Sequence, residues 1–160
     1  MCYPSCRQVL EEVDVLTTIA IKDGIVASDS RLTQGGVILD DTFDKRREFE
    51  GVQFFIAGNV TDDAQVMACY LAGDDVISDI EGKPCADFLI VDGNKVYYGG
   101  LEEEGFWKMK IQSNTPYAIG SGAAYAIGAM DAGATAKEAV KIASRDVFTG
   151  GIIRTYKVKG

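Results

Sequence analysis

The chain contains no histidine. That absence removes Ser-His-Asp and Cys-His catalysis, the HExxH zinc site and every histidine-bearing zinc finger. Any hydrolytic chemistry must take its base from another group. Basic residues are also in short supply, with 16 Lys+Arg against 24 Asp+Glu and a net charge of −8. Nucleic acid, whose phosphates must be met by a basic surface, is not an expected partner. No apolar run approaches the roughly 20 residues of a membrane span. Residues 1–16 carry Glu11, Glu12 and Asp14 and lack a long apolar stretch, so they do not read as a secretory signal. A cytoplasmic protein is the expectation. Cysteines number four, at positions 2, 6, 69 and 85, without paired CxxC spacing. Reduced thiols, no metal and no cofactor are expected.

What is present fits one globular domain. At 160 residues and 47% apolar content, the chain can bury a core without staples. Its most informative stretch is residues 16–31, LTTIAIKDGIVASDSR. Two apolar-rich halves flank Asp23-Gly24, a dipeptide suited to the positive φ angles of a tight hairpin. Folding about that turn sets Thr18 opposite Asp29 and Thr17 opposite Ser30. Hydroxyls and a carboxylate then gather at the open, half-exposed end of one hairpin.

Further along, residues 52–57 read as a buried strand ending at Gly58-Asn59. Thr61-Asp62-Asp63 caps a helix through about residue 71, with acids in the first turn. Residues 74–81 read as a short helical piece. Residues 86–91 and 95–98 flank Asp92-Gly93-Asn94, a second hairpin, and residues 105–111 read as an edge strand. Gly120-Ser121-Gly122 opens a helix to about residue 132. Thr135 to Glu138 is a capping box for another helix, through about residue 146. Residues 152–158 form a last strand. Antiparallel hairpins with segregated helices point to an α+β fold, two sheets between helices.

The order of landmarks is Thr17-Thr18, Asp29-Ser30-Arg31, Lys45, Ala57-Gly58, Gly120-Ser121-Gly122 and Arg145 to Gly151. Together they resemble the proteasome β-subunit family of N-terminal nucleophile hydrolases, from Thr17 to Val158. The resemblance implies a four-layer αββα sandwich over residues 17–160, preceded by a leader at 1–16. It implies a threonine endopeptidase held as a zymogen until the leader is removed. Thr17 would be the nucleophile and its freed α-amine the base, an answer suited to a histidine-free chain. Lys45 would hold the reactive protonation states, Asp29 would pair with Lys45, and the Gly58 N–H would form the oxyanion hole. Ser121, Asp146 and Thr149 would support the amine. Thr33 would pair its main chain with substrate, and Phe43, Arg47, Ile56 and Val60 would lie near the specificity pocket. A homo-oligomer, possibly a ring, is implied, acting on peptides or unfolded protein. A separate ATPase unfoldase would be needed, since the chain has no GxxxxGK[ST] loop.

Two other readings compete. Leu16 stands where the family mostly carries glycine, which favours a catalytically silent structural or regulatory subunit that keeps its leader. Cys2, exposed on removal of Met1, could instead serve as an amidohydrolase nucleophile, although it lies well upstream of the hairpin.

Overall fold

The Asp23-Gly24 turn closes the first hairpin with φ of 51° and 74° at its two central residues. This is the twist that a two-residue connection between right-twisted strands demands. A computed structural model describes residues 13–15 and 17–160. The chain runs β1 (Val13–Val15), β2 (Thr18–Lys22), β3 (Ile25–Ser28), β4 (Leu32–Gln34), β5 (Val37–Asp40), β6 (Arg46–Phe49) and β7 (Val52–Asn59). After a 3₁₀ turn at Val60–Asp62 come α1 (Asp63–Ala72), β8 (Val76–Ile77), β9 (Ala86–Asp92), β10 (Lys95–Glu102) and β11 (Gly105–Ile111). The chain closes with β12 (Tyr117–Gly120), α2 (Ala123–Asp131), α3 (Ala136–Ile142) and β13 (Arg154–Lys157).

The result is a mixed α+β fold with antiparallel sheets. Among the described residues, one sheet has four strands in the order β12-β2-β3-β13, and the other has nine, running β5-β4-β1-β7-β9-β10-β11-β8 with β6 also on β7. Strand alternation splits the core. Ile19, Ile21 and Val26 of the small sheet pack with Phe55, Ala57, Leu89 and Val91 of the large one. The opposite face of the small sheet presents Ala20, Ala27 and Ala118 to Ala126, Met130, Ala139 and Val140 of α2 and α3. Alanine on both sides lets those helices approach closely. On the far face of the large sheet, Phe54, Ile56, Phe88 and Ile90 pack with Val66 and Cys69 of α1. Each fully buried Phe or Ile contributes roughly 1.5–3 kcal/mol.

Several local expectations need correction. Residues 74–81 are not helical: Val76–Ile77 pairs with Trp107 and Phe106 on the edge of the large sheet. Lys108 draws this segment in, donating from its backbone to the Asp75 carbonyl at 2.9 Å and from Nζ to the Asp75 carboxylate at 2.8 Å. The capping box at Thr135 and Glu138 is present, but α3 stops at Ile142 and a 3₁₀ turn follows to Arg145. Asp146 then turns extended, its carboxylate taken by Ser121 and Thr149. The last strand is shorter than its apolar run, because the Ile152 N–H is spent on the Asp41 carbonyl. Before α1, the Asn59 side chain caps the 3₁₀ turn through the Thr61 N–H, and Asp62 instead accepts from the Cys85 N–H at 2.9 Å. Cys69 is free and buried, whereas Cys85 is disulfide-bonded. The expectation of reduced thiols fails at Cys85. The readings placed on residues 1–12 and Leu16 also lie outside them.

No helix among the described residues is long and apolar enough to cross a membrane.

Candidate active site

Thr17 leads into β2 and Asp29 follows β3, so the pairing of Ile19 with Ser28 brings their neighbourhoods together. The Thr18 N–H donates to Asp29 Oδ1 at 3.3 Å, and the Asp29 N–H donates to the Thr18 carbonyl at 3.3 Å. Lys45 enters from the segment before β6, its carbonyl accepting from the Ile56 N–H at 3.5 Å. Its Nζ donates to Thr17 Oγ1 and to Asp29 Oδ1 at 2.7 Å. The pair is sealed, with side-chain exposures of 0% for Lys45 and 1% for Asp29. Thr17, expected at a half-exposed strand end, is fully buried.

That burial sets the electrostatics. Removal from water disfavours the ammonium and brings Lys45 down to about 8, while the charge and hydrogen bond of Asp29 oppose the shift. Burial likewise pushes the Asp29 carboxyl upward, against the pull of Lys45 and of the Gly150 and Thr18 N–H donors. Asp29 Oδ2 accepts from the Gly150 N–H at 2.8 Å and from the Arg31 N–H at 3.4 Å. The carboxylate is therefore held from both sides and cannot turn away from the lysine.

A second polar group sits on the other side of Thr17. Ser121 Oγ donates to Asp146 Oδ2 and lies 3.4 Å from the Thr17 carbonyl oxygen. Thr149 Oγ1 donates to the same Asp146 oxygen at 2.9 Å and is 2.8 Å from Thr18 Oγ1. Gly120 makes the approach possible: at its φ of +96°, a Cβ would lie 1.8 Å from the Thr17 carbonyl oxygen. Gly58 is equally constrained, since a Cβ there would lie 2.3 Å from the Cys85 carbonyl oxygen. It is paired with Val15 on one side and with Ala86 on the other.

Thus Thr17, Asp29 and Lys45 meet directly, and Ser121, Asp146 and Thr149 form a cluster that touches Thr17 and Thr18. The four residues expected near a specificity pocket divide. The Arg47 guanidinium lies 5.0 Å over the Phe43 ring, so those two meet. Ile56 is 3% exposed and packs in the core beneath α1. Val60 is half-buried at the start of the 3₁₀ turn.

Sequence reasoning missed three features. Asp63 holds Arg47 through an ion pair of 3.1 Å, with no signal beyond an acid in a helix's first turn. Arg154 braces the loop carrying Lys45, donating to Ser30 Oγ at 2.5 Å, the Phe43 carbonyl at 3.3 Å and the Thr42 carbonyl at 2.8 Å. Most important, β1 lies between β4 and β7: Asp14 opposes Thr33 on one side and Asn59 on the other. Thr33, the residue whose main chain was expected to pair with substrate, pairs with the chain's own upstream strand. No group of three or more Cys, Asp or Glu side chains that could hold a metal occurs among the described residues.

No protein-family model and no curated protein matches this chain.

Proposed function

We propose that the chain is a threonine-type peptidase with Thr17 as nucleophile, built on the four-layer αββα fold of N-terminal nucleophile hydrolases. One observation carries this reading: a buried lysine donates to the hydroxyl of Thr17 and is held there by a buried aspartate. A surface lysine needs no such arrangement. Burying an ammonium costs several kcal/mol unless it is paired and hydrogen-bonded, and a threonine hydroxyl as its second partner points to proton control at that oxygen.

In the intact chain the Thr17 nitrogen is an amide and cannot serve as a base. Lys45 then takes the hydroxyl proton, Thr17 Oγ1 bonds to the carbonyl carbon of Leu16, and the Leu16–Thr17 C–N bond breaks. The proton passes to the departing Thr17 nitrogen, and water hydrolyses the resulting ester. In the processed enzyme the α-amine accepts the hydroxyl proton, and the same sequence runs on an incoming peptide. The N–H of Gly58 stabilises the oxyanion in both reactions, a contribution of roughly 3 kcal/mol. Ser121, Asp146 and Thr149 orient the freed amine. Peptide adds as a strand between β4 and β7, taking the place that β1 holds before processing.

A specific observation favours a second reading. β1 closes the sheet between β4 and β7, so a chain that keeps residues 1–16 has no room there for another strand and would act as a silent subunit. Peptide hydrolysis by the purified chain separates the two. The peptidase reading expects turnover that Thr17→Ala and Lys45→Ala each abolish, and the silent-subunit reading expects none. Unchanged turnover in Thr17→Ala would exclude threonine as the nucleophile.

A further inference from the structure

We propose that the cavity beside Asp29 binds small phosphate-bearing anions, and that Lys137 and Lys141 of α3 hold them. An anion seated there also holds back Lys45, and that consequence alone rests on the peptidase reading above.

The cavity has a volume of about 640 Å³ and lies between α3 and the Gly150-Gly151 turn. Asp29 and Thr149 line it and are each 1% exposed, so they form its floor. Lys137 and Lys141 line it too, and both are exposed at its rim. Val140 and Ile153 add an apolar wall. The volume is that of a small-molecule pocket.

The charges around this space do not cancel. Asp29 accepts from Lys45 Nζ at 2.7 Å and from the Gly150 N–H at 2.8 Å. Arg31 is closed on Asp41 by two bonds, of 2.9 Å and 3.2 Å. Each of these pairs is neutral as a whole. Lys137 and Lys141 form no ion pair among the described residues. They stand one turn apart on the same face of α3, where like charges repel and weaken a helix. Glu138, the acid within α3, is engaged by the Thr135 N–H at 3.0 Å in the capping box. Two uncompensated ammoniums therefore line one cavity in a chain of net charge −8.

This arrangement selects the ligand. A planar carboxylate is best met by a free guanidinium fork, and the Arg31 fork is taken by Asp41. Two ammoniums are point charges with three rotatable donors each, which suits the several oxygens of a phosphate. A dianion satisfies both lysines at once. The apolar wall admits an organic substituent, so inorganic pyrophosphate and a phosphate monoester are the two forms to distinguish.

Occupancy reaches Thr17 through Asp29. Negative charge in the cavity favours the ammonium form of Lys45, on which the charges of Asp29, Arg31 and Asp146 already act. Leader loss at neutral pH then slows when the cavity is filled.

The test uses the full chain at pH 7. Inorganic phosphate, pyrophosphate and phenyl phosphate are titrated by calorimetry into the parent, Lys137→Gln, Lys141→Gln and the double variant. Lys95→Gln/Lys110→Gln removes the same charge from exposed positions on β10 and β11 and serves as the control. Saturable binding to the parent is expected, weakened at least tenfold in Lys137→Gln/Lys141→Gln, partly in each single variant, and unchanged in the control. Tighter binding of pyrophosphate assigns the site to inorganic anions, and tighter binding of phenyl phosphate assigns it to organic esters. No saturable binding to the parent, or equal affinity in Lys137→Gln/Lys141→Gln, would overturn the site. Leader loss is followed by intact mass with and without saturating pyrophosphate. Slowing is expected in the parent and not in Lys137→Gln/Lys141→Gln. Binding without slowing would overturn the coupling to Lys45. Absence of leader loss in every condition would overturn the peptidase reading and leave the anion site standing.

Discussion

Lys45 makes the pH dependence of leader loss a sharp test of its role. In the intact chain its amine is placed on the Thr17 hydroxyl, so the rate of cleavage should follow the fraction of neutral lysine. Burial brings that group from 10.5 to about 8. A lowering of this size corresponds to about 3 kcal/mol of differential interaction between the two protonation states. A lysine left at 10.5 would be neutral in roughly one molecule in three thousand at pH 7, and one at 8 in roughly one in ten. The first-order rate of leader loss should therefore rise about tenfold per pH unit up to pH 7 and level off above pH 8. The assay is intact mass against time from pH 5.5 to 9.5 at constant ionic strength, with Lys45→Met as the dead control. A flat profile across that range, or cleavage in Lys45→Met within a few-fold of the parent, would refute the assignment of Lys45 as base. The same shift has a stability consequence of defined sign. The folded value lies below the unfolded one, so between about pH 8 and 10.5 the unfolded chain binds more protons and stability rises with pH.

Lys45→Met should destabilise the fold by roughly 3–5 kcal/mol, because it leaves Asp29 buried without its cation; urea unfolding should show Lys45→Met/Asp29→Asn recovering part of that loss. Gly120→Ala should cost several kcal/mol or displace Thr17, since its Cβ would overlap the Thr17 carbonyl oxygen at a positive φ; a melting temperature within a degree or two of the parent would contradict the close approach. Leu16→Gly should speed leader loss, because glycine relaxes the backbone that must present its carbonyl to Thr17; equal mass-loss rates in parent and variant would show that leucine is no obstacle.

Local signals in the sequence were legible where a few adjacent residues decide the structure. The Asp23-Gly24 turn and the Thr135–Glu138 capping box are of this kind, and both stand where expected. The helix from Asp63 was legible too: Asp62 stands at its N-cap, without a side-chain hydrogen bond, and Asn59 caps the 3₁₀ turn that precedes it. Non-local choices were not legible. A three-residue strand such as β1 has no periodicity of its own, and its partners at Thr33 and Gly58 lie far along the chain. Asp74 to Glu81 reads as a short helical piece, whereas pairing with the distant Phe106 and Trp107, and contacts from Lys108 to Asp75, draw it onto β11. At the site, the register of the first hairpin follows from its turn. That Lys45 reaches Thr17 came from a resemblance in the order of landmarks, because nothing in the residues around Lys45 marks it as buried. The Arg47–Asp63 pair joins β6 to the first turn of α1, with all of β7 between them in sequence, and left no trace beyond two opposite charges.

The most direct test of the central claim is the intact mass of the purified full-length chain beside its Thr17→Ala counterpart, followed over time at pH 8. If Thr17 is the nucleophile, the parent should lose residues 1–16 and settle at the mass that begins at Thr17, while Thr17→Ala keeps them. Loss of the leader in both chains, or its retention in both, would contradict the claim that Thr17 attacks the bond before it.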